Sequence, residues 1–173
     1  MTPNQVLSEA VLSTKMLLGR YLAGFTDETC IAQAPNLPNH VAWNLGHLAL
    51  TMHRVAQMVD GSPIPASDIS SSPTGQRPTA FHSESISFGS KPANDAAAYP
   101  SLPRCTEIYN AACDRLAAAI AKAPESKLAE TVKWGNGESQ IWTLALRMVF
   151  HNGFHTGQIA DLRRALGFKS IFA

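Results

Sequence analysis

At 173 residues, with 45% apolar and 16% charged side chains, the chain is long enough to bury a real hydrophobic core. A net charge of +1, with no long block of Lys and Arg, gives no electrostatic case for nucleic acid. No apolar run reaches the length of a bilayer span, and the start lacks a basic stretch followed by an apolar one, so neither membrane nor export is indicated. The expectation is a single domain over residues 1–173, soluble in the cytoplasm. Cys30, Cys105 and Cys113 are odd in number and widely spaced, which excludes a disulfide framework or zinc knuckle and predicts buried thiols.

Thr2-Pro3-Asn4-Gln5 has the form of a capping box with proline at the first helical position. Leu7, Val11, Leu18, Tyr21, Leu22 and Phe25 mark the stripe of a first helix ending near Thr26. After a connector broken by Pro35 and Pro38, Asn39 is the expected N-cap of a second helix running to about Val59, with Asp60-Gly61 as its stop. Its core row is Val41, Leu45, Leu48, Met52, Val55 and Val59. From Gly61 to Pro100 the composition turns to Ser, Pro and Gly, with Pro63, Pro65, Pro73, Pro78 and Pro92, and no helical period survives. Phe81, Ile86 and Phe88 suggest an ordered loop that covers part of the body. A third helix starts near Ser101, carries Cys105, Ile108, Tyr109, Ala112, Leu116 and Ile120, and stops before Pro124. Trp134-Gly135-Asn136-Gly137 reads as the turn of a short hairpin. Ser139 is the expected cap of a fourth helix, which Gly167 ends, and Arg163 and Arg164 read as a solvated face of it. The pattern predicts an all-α fold, a four-helix bundle with a long loop between helices two and three.

The fourth helix holds the chemistry. At 100° per residue, Leu144, Met148, His151, His155, Ile159, Leu162 and Leu166 share one side. His151 and His155 lie one turn apart on that core face, a spacing at which two imidazoles can share one metal ion. Asn152 beside the first histidine excludes the HExxH metalloprotease pattern, and no Glu-x-x-His pair supports a di-iron site. No CxxCH motif supports attached haem. A third ligand has to come from His40, His47, His53 or His82. His47 sits on the second helix with Gly46 beside it, which permits close approach of another element. In antiparallel helices its level, ~12 Å from one end, is near that of His155, ~16 Å from the other. His53 points away from His47, and His40 lies two turns off, near the helix mouth. His47 is therefore the expected third ligand. Asn44 and Gln158, about a turn from the histidines, are placed to orient them or a substrate.

Leu45-Gly46-His47-Leu48-Ala49, together with His151-Asn-Gly-Phe-His155-Thr-Gly-Gln158-Ile, Leu162-Arg163-Arg164 and Gly167, resembles the DinB/YfiT-like superfamily of metal-binding bundles. The resemblance spans nearly the whole chain. It implies an up-down-down-up bundle, a homodimer, and one divalent transition metal, commonly nickel or zinc. Carried over by motif position, the metal ligands are His47, His151 and His155. Relatives include thiol-dependent transferases using bacillithiol or mycothiol and a maleylpyruvate isomerase. The resemblance thus implies thiol transfer or isomerisation on a small-molecule substrate, with a low-molecular-weight thiol as partner. Three neutral imidazoles leave a coordination position open for water or a substrate thiolate. Two other readings stand beside this one. In the first, the three histidines bond only to one another and the backbone. In the second, the metal serves a non-catalytic or stress-response module, with His40 or His82 closing the site as a fourth ligand.

Overall fold

The computed structural model describes residues 1–72 and 78–172, so the expected break at Pro73 lies outside the described residues. The chain is mostly helical, with four long helices: α1 (Pro3–Tyr21), α2 (Val41–Asp60), α3 (Leu102–Lys122) and α5 (Ile141–Ala165). A single-turn α4 (Glu125–Leu128) precedes a hairpin of β3 (Thr131–Trp134) and β4 (Gly137–Gln140). Within the connection after α2, β1 (Ile69–Ser70) and β2 (Phe81–His82) form a short parallel pair, Ile69 opposite Phe81. Among the described residues, no helix is long and apolar enough to cross a membrane.

Local chemistry explains most of the helix ends. The capping box at Thr2 is formed: its hydroxyl accepts from the Gln5 amide, and the Thr2 amide donates to Gln5 Oε1. Gly61 ends α2 in the left-handed conformation, φ 71°, with its amide bonded to Gln57 O. α3 begins where expected, with Ser101 as its cap. Two expected caps are corrected. His40, not Asn39, caps α2, because its Nδ1 accepts from the Trp43 amide at 3.1 Å. Gln140 stands at the cap of α5, because Ser139 is held in β4 opposite Val132. The hairpin itself turns between Trp134 and Gly137, as its sequence foretold.

Helix α2 is the centre of the molecule. Every residue from Val41 to His53 is buried, and small side chains at Ala42, Gly46 and Ala49 let neighbours close in. α3 and α5 flank it, and both also pack on α1. Side-chain bonds fix the relative directions. Asn4 donates to Ala123 O and Ser8 to Ala117 O, so α1 and α3 run opposite ways. Asn152 bonds Thr14 and Arg163 bonds Tyr21 O, so α1 and α5 run together. Asn39 bonds Gln158 and Asn44 bonds His155, so α2 and α5 are antiparallel.

The connection between α2 and α3 is a docked cover. A Cβ added to Gly46 would lie 2.7 Å from Phe81 and 2.8 Å from Ile86, both fully buried. Phe88, expected beside them, is instead 94% exposed. Arg104 Nη2 ties the cover to α3 through Ser67 O and Asp68. The reading of Arg163 as solvated is also corrected. Its guanidinium is buried, donates to Tyr21 O, Ala23 O and Lys169 O, and lies over the rings of Phe25 and Phe168. The carbonyls at the end of α1 need donors, and Arg163 supplies them. Arg164, paired with Asp161, is the solvated one.

Gly46→Ala is expected to destabilise the protein by about 1–3 kcal/mol despite alanine's higher helix propensity, since Phe81 and Ile86 must give way. Urea denaturation of the two proteins checks this; equal or greater stability in the variant would refute the tight seating of the cover.

Candidate metal centre

His47 reaches the site from α2, and His151 and His155 from α5. One ring nitrogen from each lies within 4.8 Å of the others, making a cluster that could hold a metal ion. The expected trio is therefore brought together. His151 Nε2 and His155 Nε2 are 3.0 Å apart. Either one proton or one cation must lie between two nitrogens so close, because two facing lone pairs repel.

The outer nitrogens decide the tautomers. His155 Nδ1 is 2.7 Å from Asn44 Oδ1 and 3.0 Å from Gln158 Oε1, and Gln158 is itself oriented by Asn39 Nδ2 at 3.2 Å. Two amide oxygens call for an N–H at that position, which leaves Nε2 as the lone pair. His47 Nδ1 donates to the Ile86 carbonyl at 2.8 Å, freeing its Nε2 likewise. His151 Nδ1 lies 3.5 Å from Thr51 Oγ1, a looser tether. Trp43, one turn before His47, stacks on that ring with centroids 4.6 Å apart, and its indole N–H donates to Ser90 Oγ. The expected orienting roles of Asn44 and Gln158 thus have a geometry. Trp43 and Thr51 were missed, although their spacing of four residues either side of His47 was a usable signal.

The remaining histidines lie elsewhere. His40 uses Nδ1 as the α2 cap and sets Nε2 3.1 Å from Ala93 O, so both nitrogens are engaged. His82 Nδ1 bonds Ser85 Oγ. His53 is buried on another side of α2, with Nε2 3.4 Å from Asp68 and Nδ1 3.5 Å from Arg115. Neither suspected fourth ligand joins the cluster.

Burial keeps the trio uncharged. It pushes the His151 imidazole down to about 4, with His47 adding to the effect, and that of His155 to about 3, with His151 and His47 adding. Burial also lowers His47, opposed by the Ile86 carbonyl and reinforced by the Arg54 charge. Neutral imidazoles are the ligand form a borderline divalent ion requires. His47 and His151 open onto a cleft of about 740 Å³, walled by α2, α5, the hairpin and Phe88 of the cover.

The sequence profile of the DinB superfamily matches residues 11–159. The chain belongs to the DinB superfamily. No curated protein matches it. A conserved protein from Enterococcus faecalis, known from a crystal structure, shares the fold of this DinB chain with a TM-score of 0.72 and 15% identity, over 95% of this chain and 97% of that one.

The shifts set a pH dependence for the stability of the protein without bound metal. Its folded-state values near 4 and 3 lie below the unfolded histidine value of ~6.5, so the unfolded chain binds more protons in between. Stability present above pH ~6.5 is lost as pH falls toward 4. Urea midpoints at neutral and acid pH should show this fall, and His155→Gln should make it shallower; an unchanged slope would mean that the ring titrates normally.

Proposed function

We propose that this chain binds one divalent transition metal, nickel or zinc, through His47, His151 and His155. We further propose that it is an enzyme of the thiol-dependent transferase or isomerase type. The observation that carries the reading is the pairing of a three-imidazole cluster with an open cleft. His47 and His151 line that cleft, and no fourth protein ligand joins them among the described residues. The bound ion would supply Lewis acidity, polarising a substrate or holding a thiol as its thiolate. The chain's own groups do the rest. Asn44, Gln158 and the Ile86 carbonyl hold Nδ1–H of two rings, so that their Nε2 atoms face inward. Trp43 fixes the plane of His47, and the cover packs against Gly46 beside it.

The helix directions support an up-down-down-up four-helix arrangement, with α1 and α5 one way and α2 and α3 the other. A homodimer fits the exposed apolar stripe of Trp142, Leu146, Phe150 and Phe154 on α5. Cytoplasmic residence is part of the same proposal. The alternative of a closed, non-catalytic site loses its two suspected ligands, since His40 and His82 are engaged elsewhere.

Purified protein should carry about one metal per chain by elemental analysis, and His151→Ala or His155→Ala should remove it; full retention in both variants would defeat the metal assignment. Asn44→Ala should weaken metal affinity by roughly 10–100-fold, measured by competition with a chelating dye, while the fold persists by circular dichroism. Turnover is tested by a screen of low-molecular-weight thiols against electrophilic acceptors. Metal-dependent consumption of a thiol supports the enzyme reading, and a metal-loaded protein inert across the panel supports the non-catalytic one.

A further inference from the structure

The cleft outside the histidines is cationic. Arg54 of α2, Arg147 of α5 and Lys133 of β3 line it, and no acidic side chain does among the described residues. Glu138 stands opposite Lys133 in the hairpin register, and no ion pair joins the two among the described residues. Elsewhere on the molecule Arg104, Arg115 and Arg164 each hold a carboxylate. Among the described residues Arg54 and Arg147 hold none, and both are solvent-exposed.

Their placement is directional. Arg54 lies seven residues beyond His47, and Arg147 four before His151. Because α2 and α5 are antiparallel, both offsets run toward the same end of the cleft, by ~10 and ~6 Å along the axes. Apolar surface lies alongside, from Met58, Met148, Trp134 and Phe150. The cleft therefore holds imidazoles at one end and two guanidiniums without a carboxylate toward the other, with apolar side chains and an ammonium among its lining.

We propose that this cleft selects a small organic anion. Its reactive end meets the three histidines, and its carboxylate or other anionic group, about one to two helical turns away, is held by Arg54 and Arg147 with help from Lys133. This rests on the reading of the trio as the reactive centre but is tested apart from it. Two guanidiniums without a competing acid give charge-assisted, fork-shaped hydrogen bonds to a carboxylate. The same positive field repels amines and speeds the encounter with anions. Selection operates through the cations, and the apolar wall accommodates the ligand's body.

The test is isothermal titration calorimetry of three probes matched in shape: 4-phenylbutanoate, 4-phenylbutan-1-ol and 4-phenylbutylamine. Each is titrated into the protein as purified and into the same protein after chelation. The acid is expected to bind at least tenfold more tightly than the alcohol in both forms, with the amine weakest. Added salt should weaken the acid alone. Arg54→Gln combined with Arg147→Gln should bring the acid within twofold of the alcohol, leaving alcohol affinity, metal content and the unfolding midpoint unchanged. Equal affinity of acid and alcohol would overturn the proposal, as would no binding of any probe. So would a preference that survives the double substitution, because the carboxylate would then sit on the metal. A chain that takes up no metal yet keeps an Arg-dependent acid preference would refute the metal reading and leave this one standing.

Discussion

A neutral imidazole offers one donor and one acceptor, and at this centre the donor is the scarcer freedom. Amide oxygens of Asn44 and Gln158 surround Nδ1 of His155, and a main-chain carbonyl takes Nδ1–H of His47. With those protons fixed on the outside, the lone pairs face inward, and burial keeps the rings uncharged enough to use them. The other parts of the site follow from that constraint. α2 must lie against α5 closely enough for Asn44 to reach His155, and the cover must lie against α2 closely enough for Ile86 to reach His47. Gly46 meets the second demand by having no side chain.

Much of this was legible in residue spacing because helices make spacing into geometry. The stripe through His151 and His155, the core row of α2, the capping box at Thr2 and the glycine beside His47 all translate directly into faces and contacts. Family likeness led to the same trio of histidines. The misreadings occur where a side chain answered a demand from a distant part of the chain. His40 displaced Asn39 as a cap because its ring could bridge from the Trp43 amide to Ala93 on the cover. Arg163 left solvent because the last carbonyls of α1, more than a hundred residues away in sequence, needed donors. Phe88 left the core because the cover turns outward after Ile86, toward the cleft mouth. Periodicity carries no information on such contacts.

The cleft walls were the least legible part. Arg54 and Arg147 belong to the helices that carry the histidines, yet in sequence each looks like an ordinary surface charge. Their common direction emerges only once α2 and α5 are known to be antiparallel and at matched levels. Lys133 and Trp134 come from a hairpin whose turn was readable but whose docking position was not. The polar chemistry on the far side of α2 is separate: His53, Asp68, Arg104 and Arg115 form a clamp between the cover and α3. One helix thus presents a histidine of the candidate metal cluster on one face and a fastening on another.

The carbonyl of Ile86 makes the cover and the metal site a single thermodynamic system. With the cover seated on Gly46, the Ile86 carbonyl holds His47 in the orientation and tautomer that expose Nε2. Whatever free energy an ion gains from the ordered ring must reappear as tighter seating of the cover, since linkage between two equilibria is reciprocal. An ion held there would thus be coupled to the seating of the cover. A substitution remote from the histidines, anywhere along that seam, would reset both.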